Sequence, residues 1–168
     1  MLAEAALGAL LAEMASKRRG ATQLATTRKV RLRPGPAGMA QARGALAGFE
    51  HELDAGLFFD VSLCLNELVT NAVRAMEPDD VQAVELEVSL AGDTLLAIIK
   101  DQGAGVRRLE TILGAGEEGD FGLYIISRLA HRWGVDRVEN LIWLEFEAAG
   151  QPLTRASAFT PEHAGQIA

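Results

Sequence analysis

The 168-residue chain has one cysteine, 5% aromatic residues and no uninterrupted apolar run long enough to span a bilayer. A single cysteine, Cys64, excludes a disulfide framework within the chain and favours a small buried side chain in a reducing compartment. The absence of a long apolar run predicts no membrane span, and the length is sufficient for one domain with its own core. We therefore expect one globular domain in the cytoplasm.

Several motifs of enzyme chemistry are also absent. None of the three lysines follows a glycine, which excludes a Walker-type phosphate loop, and no serine lies in a G-x-S-x-G pattern. The three histidines show no metal-ligand spacing with one another or with Cys64, so we expect them at the surface or at caps. GAGEEG at 114–119 matches G-x-G-x-x-G, but it follows the charged, helical pattern RRLETIL instead of a buried strand, which argues against a dinucleotide site.

Charge is distributed unevenly along the chain. Residues 1–43 hold eight basic and two acidic side chains, whereas the remainder holds 8 basic and 21 acidic ones, within a net charge of -7. The basic segment contains no aromatic residue that could stack on bases, and the acidic remainder would repel phosphate. We therefore predict no direct contact with nucleic acid and favour a protein partner for the basic segment.

The first residues predict an amphipathic helix. Leu7, Leu10, Leu11 and Met14 fall at the i, i+3, i+4 and i+7 positions of one helical face. The basic residues follow this stretch, whereas in a secretory signal they precede it. We expect the helix to pack against the body of the protein or against a partner, including a second copy in a homodimer. Interfacial membrane binding is the weaker alternative, because much of the apolar face is alanine.

Further along, the pattern alternates between strands and helices. The order strand, helix, helix, hairpin, glycine-rich loop, helix, hairpin predicts an α/β (α+β) two-layer sandwich, with a mixed, mainly antiparallel sheet and helices on one face. We divide the chain into an N-terminal helix and basic linker (1–25), a folded body (26–148) and a flexible tail (149–168). The predicted strands are 26–33, 83–90, 94–100 and two around 134–138 and 141–147, and the predicted helices are 37–53, 57–76 and 121–133.

Several polar side chains lie on one face of the second predicted helix, 57–76. Glu67 and Asn71 are four residues apart and so share a face, with Asp60 and Arg74 near the same line. The opposite side is apolar, so these residues could also be no more than the solvated side of an amphipathic helix.

Two glycine-rich segments follow. In DQGAG at 101–105, Asp101 ends an apolar strand, where a carboxylate can accept a hydrogen bond from an exocyclic amine, and the glycines allow a sharp turn. The next glycine cluster runs into the helix predicted at 121–133, whose N-terminal amides suit phosphate oxygens.

Together these three segments resemble the GHKL ATPases, which have the Bergerat fold, and within them the anti-sigma-factor serine/threonine kinases. NELVTNAV at 66–73 is similar to the E-x-x-x-N-A box of that superfamily, and DQGAG is similar to its D-x-G-x-G box. EGDFGLYIISRLAHRWGV at 118–135 resembles the glycine box and the helix after it. The resemblance covers about residues 28–147 and implies that the body at 26–148 is a histidine kinase-like ATPase domain.

The resemblance also implies a site for ATP and magnesium. Glu67 would orient or deprotonate the attacking hydroxyl, Asn71 would hold Mg²⁺ through its side-chain oxygen, and Asp101 would accept a hydrogen bond from the adenine amine. The lid and phosphate-binding positions that it implies are Gly103, Gly105, Gly119, Gly122 and Leu123.

The implied function is that of a Mg-ATP-dependent serine/threonine protein kinase that regulates transcription by binding a sigma factor and phosphorylating an antagonist protein. Three positions depart from the family pattern: Asp120 replaces a glycine, Ala75 a histidine and Leu141 a threonine near adenine. They leave open an alternative, a catalytically weak or inactive GHKL-fold regulator that binds a partner. A sensor histidine kinase is disfavoured, because the box-like His51 lies only 16 residues before Glu67.

Overall fold

The computed structural model of the protein describes residue 12 and residues 26–74, 76, 84–101 and 121–147. These ranges contain five strands and three helices, arranged as a sheet with the helices packed on one side. The strands are β1 (Thr26–Leu32), β2 (Val84–Ala91), β3 (Thr94–Lys100), β4 (Arg132–Asp136) and β5 (Leu141–Glu147), and the helices are α1 (Pro36–Ala47), α2 (Ala55–Arg74) and α3 (Phe121–Leu129).

The strands form one sheet in the order β1-β2-β3-β5-β4. Each neighbouring pair of described strands is antiparallel. The two predicted hairpins are present, and each turns through a residue with positive φ, Gly92 at 58° and Asn140 at 52°. Glycine and asparagine are the residues that adopt this conformation most readily, so the turn chemistry of the sequence sets both hairpins. The predicted α+β sandwich is confirmed.

The main core lies between the sheet and the helices. Because side chains alternate across a strand, every second residue of β2, β3 and β5 points into this layer. Leu86, Leu95 and Leu144 are among its most deeply buried strand residues, and Val61 and Val69 of α2 meet them from the helical side. Burial of each such side chain contributes about 1.5–3 kcal/mol to folding.

The last predicted helix is shorter than the sequence indicates. It was expected to extend to residue 133, but α3 ends at Leu129, and Arg132 and Trp133 belong to β4. The backbone N–H of His131 donates to the carbonyl of Glu145 at 2.8 Å, which starts the pairing of this segment with β5. Pairing with a neighbouring strand therefore overrides the helical pattern.

One described helix, α2, is long and apolar enough by length and composition to cross a membrane. Its contacts are those of a core helix, because it packs against β3, α1 and α3 and buries seven residues of its apolar side. We interpret α2 as the central helix of the fold.

Two basic residues predicted for partner docking are paired within the sheet. Lys29 Nζ lies 2.8 Å from a carboxylate oxygen of Glu87, and Arg31 Nε lies 3.1 Å from one of Glu85. Both pairs join β1 to β2, and the hydrogen bond and charge of Glu87 raise the pKa of Lys29. The charge of the basic segment is thus partly neutralised at its C-terminal end.

The predicted N-terminal helix and the predicted tail lie outside the described residues, apart from Ala12. Ala12 has helical backbone conformation and is exposed.

Candidate functional site

The helix that carries the predicted site residues Glu67 and Asn71 begins at a side-chain cap. Asp54 Oδ1 accepts hydrogen bonds from the backbone N–H groups of Gly56 at 2.9 Å and Leu57 at 3.0 Å. An aspartate in this position satisfies amides that have no partner in the first turn of a helix. The cap therefore fixes where α2 begins.

Glu67 and Asn71 lie at the border between core and solvent on α2. Both are half-buried, whereas Asn66 and Arg74 on the same helix are exposed. A spacing of four residues places the carboxylate and the amide on adjacent turns of one face. The structure thus presents two oxygen-bearing side chains together from a rigid core helix, as the sequence predicts.

Asp101 follows β3 directly and is 7% exposed. Its neighbour Lys100 is exposed and Ile99 lies in the main core, so strand alternation places Asp101 on the helix side of the sheet. The backbone N–H of Asp101 donates to the carbonyl of Asn140 at 3.1 Å. This bond anchors the end of β3 to the turn of the β4–β5 hairpin.

Asp136, which is not among the predicted site residues, shapes that turn. Its Oδ1 accepts hydrogen bonds from the backbone N–H groups of Val138 at 2.9 Å and Glu139 at 3.0 Å, and the side chain is buried. This Asx-type turn positions Asn140 so that its carbonyl accepts the hydrogen bond from the backbone N–H of Asp101. The signal in the sequence is the run DRVEN between two strands, which is typical of such a turn.

The N-terminus of α3 supplies the third part of the site. Gly122 is buried and Leu123 half-buried in its first turn. Because α2 packs against both β3 and α3, the segments that carry Glu67, Asp101 and Gly122 belong to one packed unit. The other predicted or departing positions lie outside the described residues: Ala75, Gly103, Gly105, Gly119 and Asp120.

Leu141, predicted at a position near adenine, lies on the other side of the sheet. It packs with Trp143 in an apolar cluster separate from the main core, whereas its neighbour Ile142 faces the helices. A leucine at position 141 therefore does not alter the helix-facing side.

His131 approaches two carboxylates across the β4–β5 pair. Its Nε2 lies 3.4 Å from an oxygen of Glu147, and the ligand-type atoms of His131, Glu145 and Glu147 lie within 4.8 Å of one another. Arg132 already binds the Glu145 carboxylate through three hydrogen bonds of 2.8–3.1 Å. A guanidinium in that position neutralises the carboxylate and takes the place a cation would occupy.

The described residues form a two-layer α+β sandwich, an antiparallel sheet with helices packed on one side, and this is the class of fold to which the chain belongs. The family model described as the histidine kinase-like ATPase domain matches residues 32–146, and the chain belongs to this family. No curated protein matches the chain. The predicted GHKL superfamily is confirmed, and the anti-sigma branch within it stays a prediction.

The burial of Cys64 on α2 predicts how the free energy of unfolding depends on pH. Burial, together with the charges of Asp60 and Glu67, raises the pKa of the Cys64 thiol from 9.0 to about 12. Below pH 9 the thiol is protonated in both the folded and the unfolded chain. At higher pH the unfolded chain loses this proton first, so we expect the free energy of unfolding to fall between these two pKa values, by about 1 kcal/mol near pH 10.

Urea unfolding at a series of pH values measures this dependence. A Cys64→Ala variant has no thiol to titrate, so its free energy of unfolding should fall less steeply above pH 9 than that of the parent chain. Identical slopes in the two proteins would contradict the prediction.

Proposed function

We propose that the chain binds Mg-ATP at the junction of α2, β3 and α3 and is a cytoplasmic serine/threonine protein kinase of the anti-sigma type. Its partners would be a sigma factor, which it binds, and an antagonist protein, which it phosphorylates. One observation carries the proposal: Glu67 and Asn71 stand together, half-buried, on the helix that packs against the strand ending at buried Asp101 and against α3.

The residues present suit magnesium and the nucleotide. Asn71 offers an amide oxygen, a hard ligand of the kind Mg²⁺ takes alongside phosphate oxygens and water. Magnesium, when bound, supplies charge neutralisation of the phosphates, which an acidic protein needs. Asp101 is suited to accept from the exocyclic amine of adenine, and the amides of Gly122 and Leu123 are suited to phosphate oxygens. Gly103, Gly105 and Gly119 complete the proposed set.

Glu67 has the properties of a group that acts on the hydroxyl of a serine or threonine substrate. We assign it to accept the hydroxyl proton while the substrate oxygen forms a bond to the γ-phosphorus and the bond from that phosphorus to the β-γ bridging oxygen breaks, which releases ADP. A phosphoryl transfer of this type depends mainly on positioning and electrostatics. A short set of residues on rigid elements is therefore sufficient.

An Asp101→Asn variant tests the adenine assignment. An amide can present its NH₂ group to the adenine amine, and it lacks the carboxylate charge, so we expect ATP binding to weaken by about tenfold or more, a loss of about 1.4 kcal/mol. Isothermal titration calorimetry with Mg-ATP measures the change. Asp93→Asn, in the exposed turn between β2 and β3, is the matched control and should bind as the parent does. Equal affinities for the parent and Asp101→Asn would contradict the assignment.

A second candidate is a partner-binding regulator that keeps ATP binding without phosphate transfer. The observation that favours it is the start of α3 at Phe121, which puts Asp120 at the position where an aspartate commonly caps a helix. A capping carboxylate would compete with phosphate for the same amides. Transfer of γ-labelled phosphate to a serine or threonine of a partner protein, and its loss in a Glu67→Gln variant, would eliminate this candidate.

A further inference from the structure

The sheet has a second buried apolar surface on the face that points away from the helices. Its cluster consists of buried side chains from β2, β3 and β5 together with the half-buried Ile98, and we call it the outer strip. Its members are Ala91, Leu96, Ile98, Leu141 and Trp143. Leu96 is only 3% exposed and Trp143 only 6%. None of the described helical residues belongs to the outer strip, so its burial requires a cover from elsewhere.

Trp143 is the largest side chain of the outer strip and is almost fully buried. Its ring lies against Gly134 on the neighbouring strand β4, so closely that a Cβ on Gly134 would come within 2.8 Å of Cζ2. One side of the indole is therefore in contact with β4. The indole Nε1 is buried, and no described residue accepts a hydrogen bond from it. The other side of the ring must face the covering segment.

Two pairs of polar side chains flank the outer strip. Thr27 and Ser89 hydrogen-bond to each other at 3.0 Å on one flank, and Arg132 binds Glu145 on the other. Between these flanks the members of the outer strip are apolar, apart from the indole Nε1 of Trp143. The cover is therefore expected to present an apolar face of its own.

We propose that the N-terminal segment of the same chain, residues 1–20, docks on the outer strip as an amphipathic helix. The segment has a stripe of large apolar side chains at helical spacing, formed by Leu7, Leu10, Leu11 and Met14. Ala12 is helical and exposed, and its position lies about 150° around a helix from the centre of that stripe. The one described residue of the segment thus points to solvent when the stripe points to the sheet.

The N-terminal segment can reach the outer strip from the start of β1. β1 is an edge strand, and its first residue, Thr26, pairs with Leu90, next to Ala91 of the outer strip. Residues 21–25, when extended, span about 17 Å, whereas crossing two strand spacings to β3 requires about 10 Å. A helix of 20 residues is about 30 Å long, which is enough to cross the five strands, about 19 Å wide.

The other terminus is the less suitable occupant. Residues 148–168 contain Leu153, Phe159 and Ile167 as their large apolar side chains, and these are not at helical spacing. The proposal concerns the opposite face of the sheet from the proposed ATP site and does not depend on it.

The test uses the full-length chain with Trp133→Phe, so that Trp143 is the one remaining tryptophan. Into this background we would introduce either Leu11→Asp, within the apolar stripe, or Ala12→Asp, at the adjacent exposed position, as the matched control. Acrylamide quenching of Trp143 fluorescence measures its exposure. We expect the quenching constant to rise several-fold in Leu11→Asp and to remain at the parent value in Ala12→Asp.

Three results would overturn the proposal. The first is unchanged quenching in Leu11→Asp, and the second is an equal rise in both variants. The third is a rise in the parent protein on dilution, accompanied by a change in size on gel filtration, because the cover would then come from a second copy. Far-UV circular dichroism and urea unfolding of each variant establish that the body of the protein is folded when quenching is measured.

Discussion

Replacing Glu67 with glutamine is expected to reduce phosphate transfer by about 10²–10⁴-fold while leaving the affinity for Mg-ATP close to that of the parent. Glutamine keeps the size of the side chain and its place on α2, but it cannot accept the hydroxyl proton. The loss therefore falls on the chemical step. Initial rates with γ-labelled ATP and the phosphorylated partner measure the transfer, and calorimetry measures the binding.

A matched substitution separates this effect from a general loss of negative charge. Glu52 lies between α1 and α2 and is exposed, so Glu52→Gln should retain the parent rate. The neutral side chain at position 67 should also lower the pKa of Cys64, because the Glu67 charge contributes to raising it. Transfer at the parent rate in Glu67→Gln would contradict the role assigned to this residue.

Replacing Asn71 with alanine is expected to weaken ATP binding by about 100-fold in the presence of magnesium, a loss of about 2.7 kcal/mol. The amide oxygen is the ligand that we assign to the metal, and its removal leaves the phosphates less well neutralised. If Asn71 acts through magnesium, the parent and the variant should bind ATP with the same low affinity once the metal is removed with EDTA. Calorimetric titrations of the parent and the variant, each with and without magnesium, therefore give a complete thermodynamic cycle for the substitution and the metal.

Asn66→Ala is the control for this experiment. Asn66 lies on the same helix, five residues earlier, and is exposed, so the same chemical change there should leave both titrations unaffected. A loss of affinity in Asn71→Ala that is equally large without magnesium would contradict the metal assignment.

Much of the fold could be predicted from the sequence because local signals and packing agree. The apolar side of α2, the turn residues Gly92 and Asn140 and the alternation in β2 all indicate the structure that forms. The prediction was wrong for the end of α3, where residues 131–133 continue a helical pattern but pair with β5. The end of α3 depends on pairing with a strand that comes later in the chain, so no local sequence pattern predicts it.

The residues of the predicted site lie in short boxes of the sequence, whereas residues that support their positions come from elsewhere. Glu67 and Asn71 are one helical turn apart in sequence and in space. Asn140 acts at the end of β3, where its carbonyl accepts a hydrogen bond from the backbone N–H of Asp101, a contact that only the sheet order creates. Such support cannot be predicted from spacing.

The outer strip did leave a signal in the sequence. TLLAIIK at 94–100 and LIWLEFE at 141–147 contain apolar residues at both odd and even positions, and so on both faces of each strand. A strand that contacts water on one face alternates between apolar and polar residues, so the loss of alternation indicates cover on both faces.

The position of β5 in the sheet has a consequence for how the protein is made. β5 is the last described strand to be synthesised, yet it fills an interior place between β3 and β4. Until residues 141–147 have left the ribosome, the backbone groups along one edge of β3 have no partner strand. An apolar strand with an open edge is a template for pairing with another chain. The nascent protein therefore passes through a state prone to aggregation, and a chain that ends before β5 would remain in it.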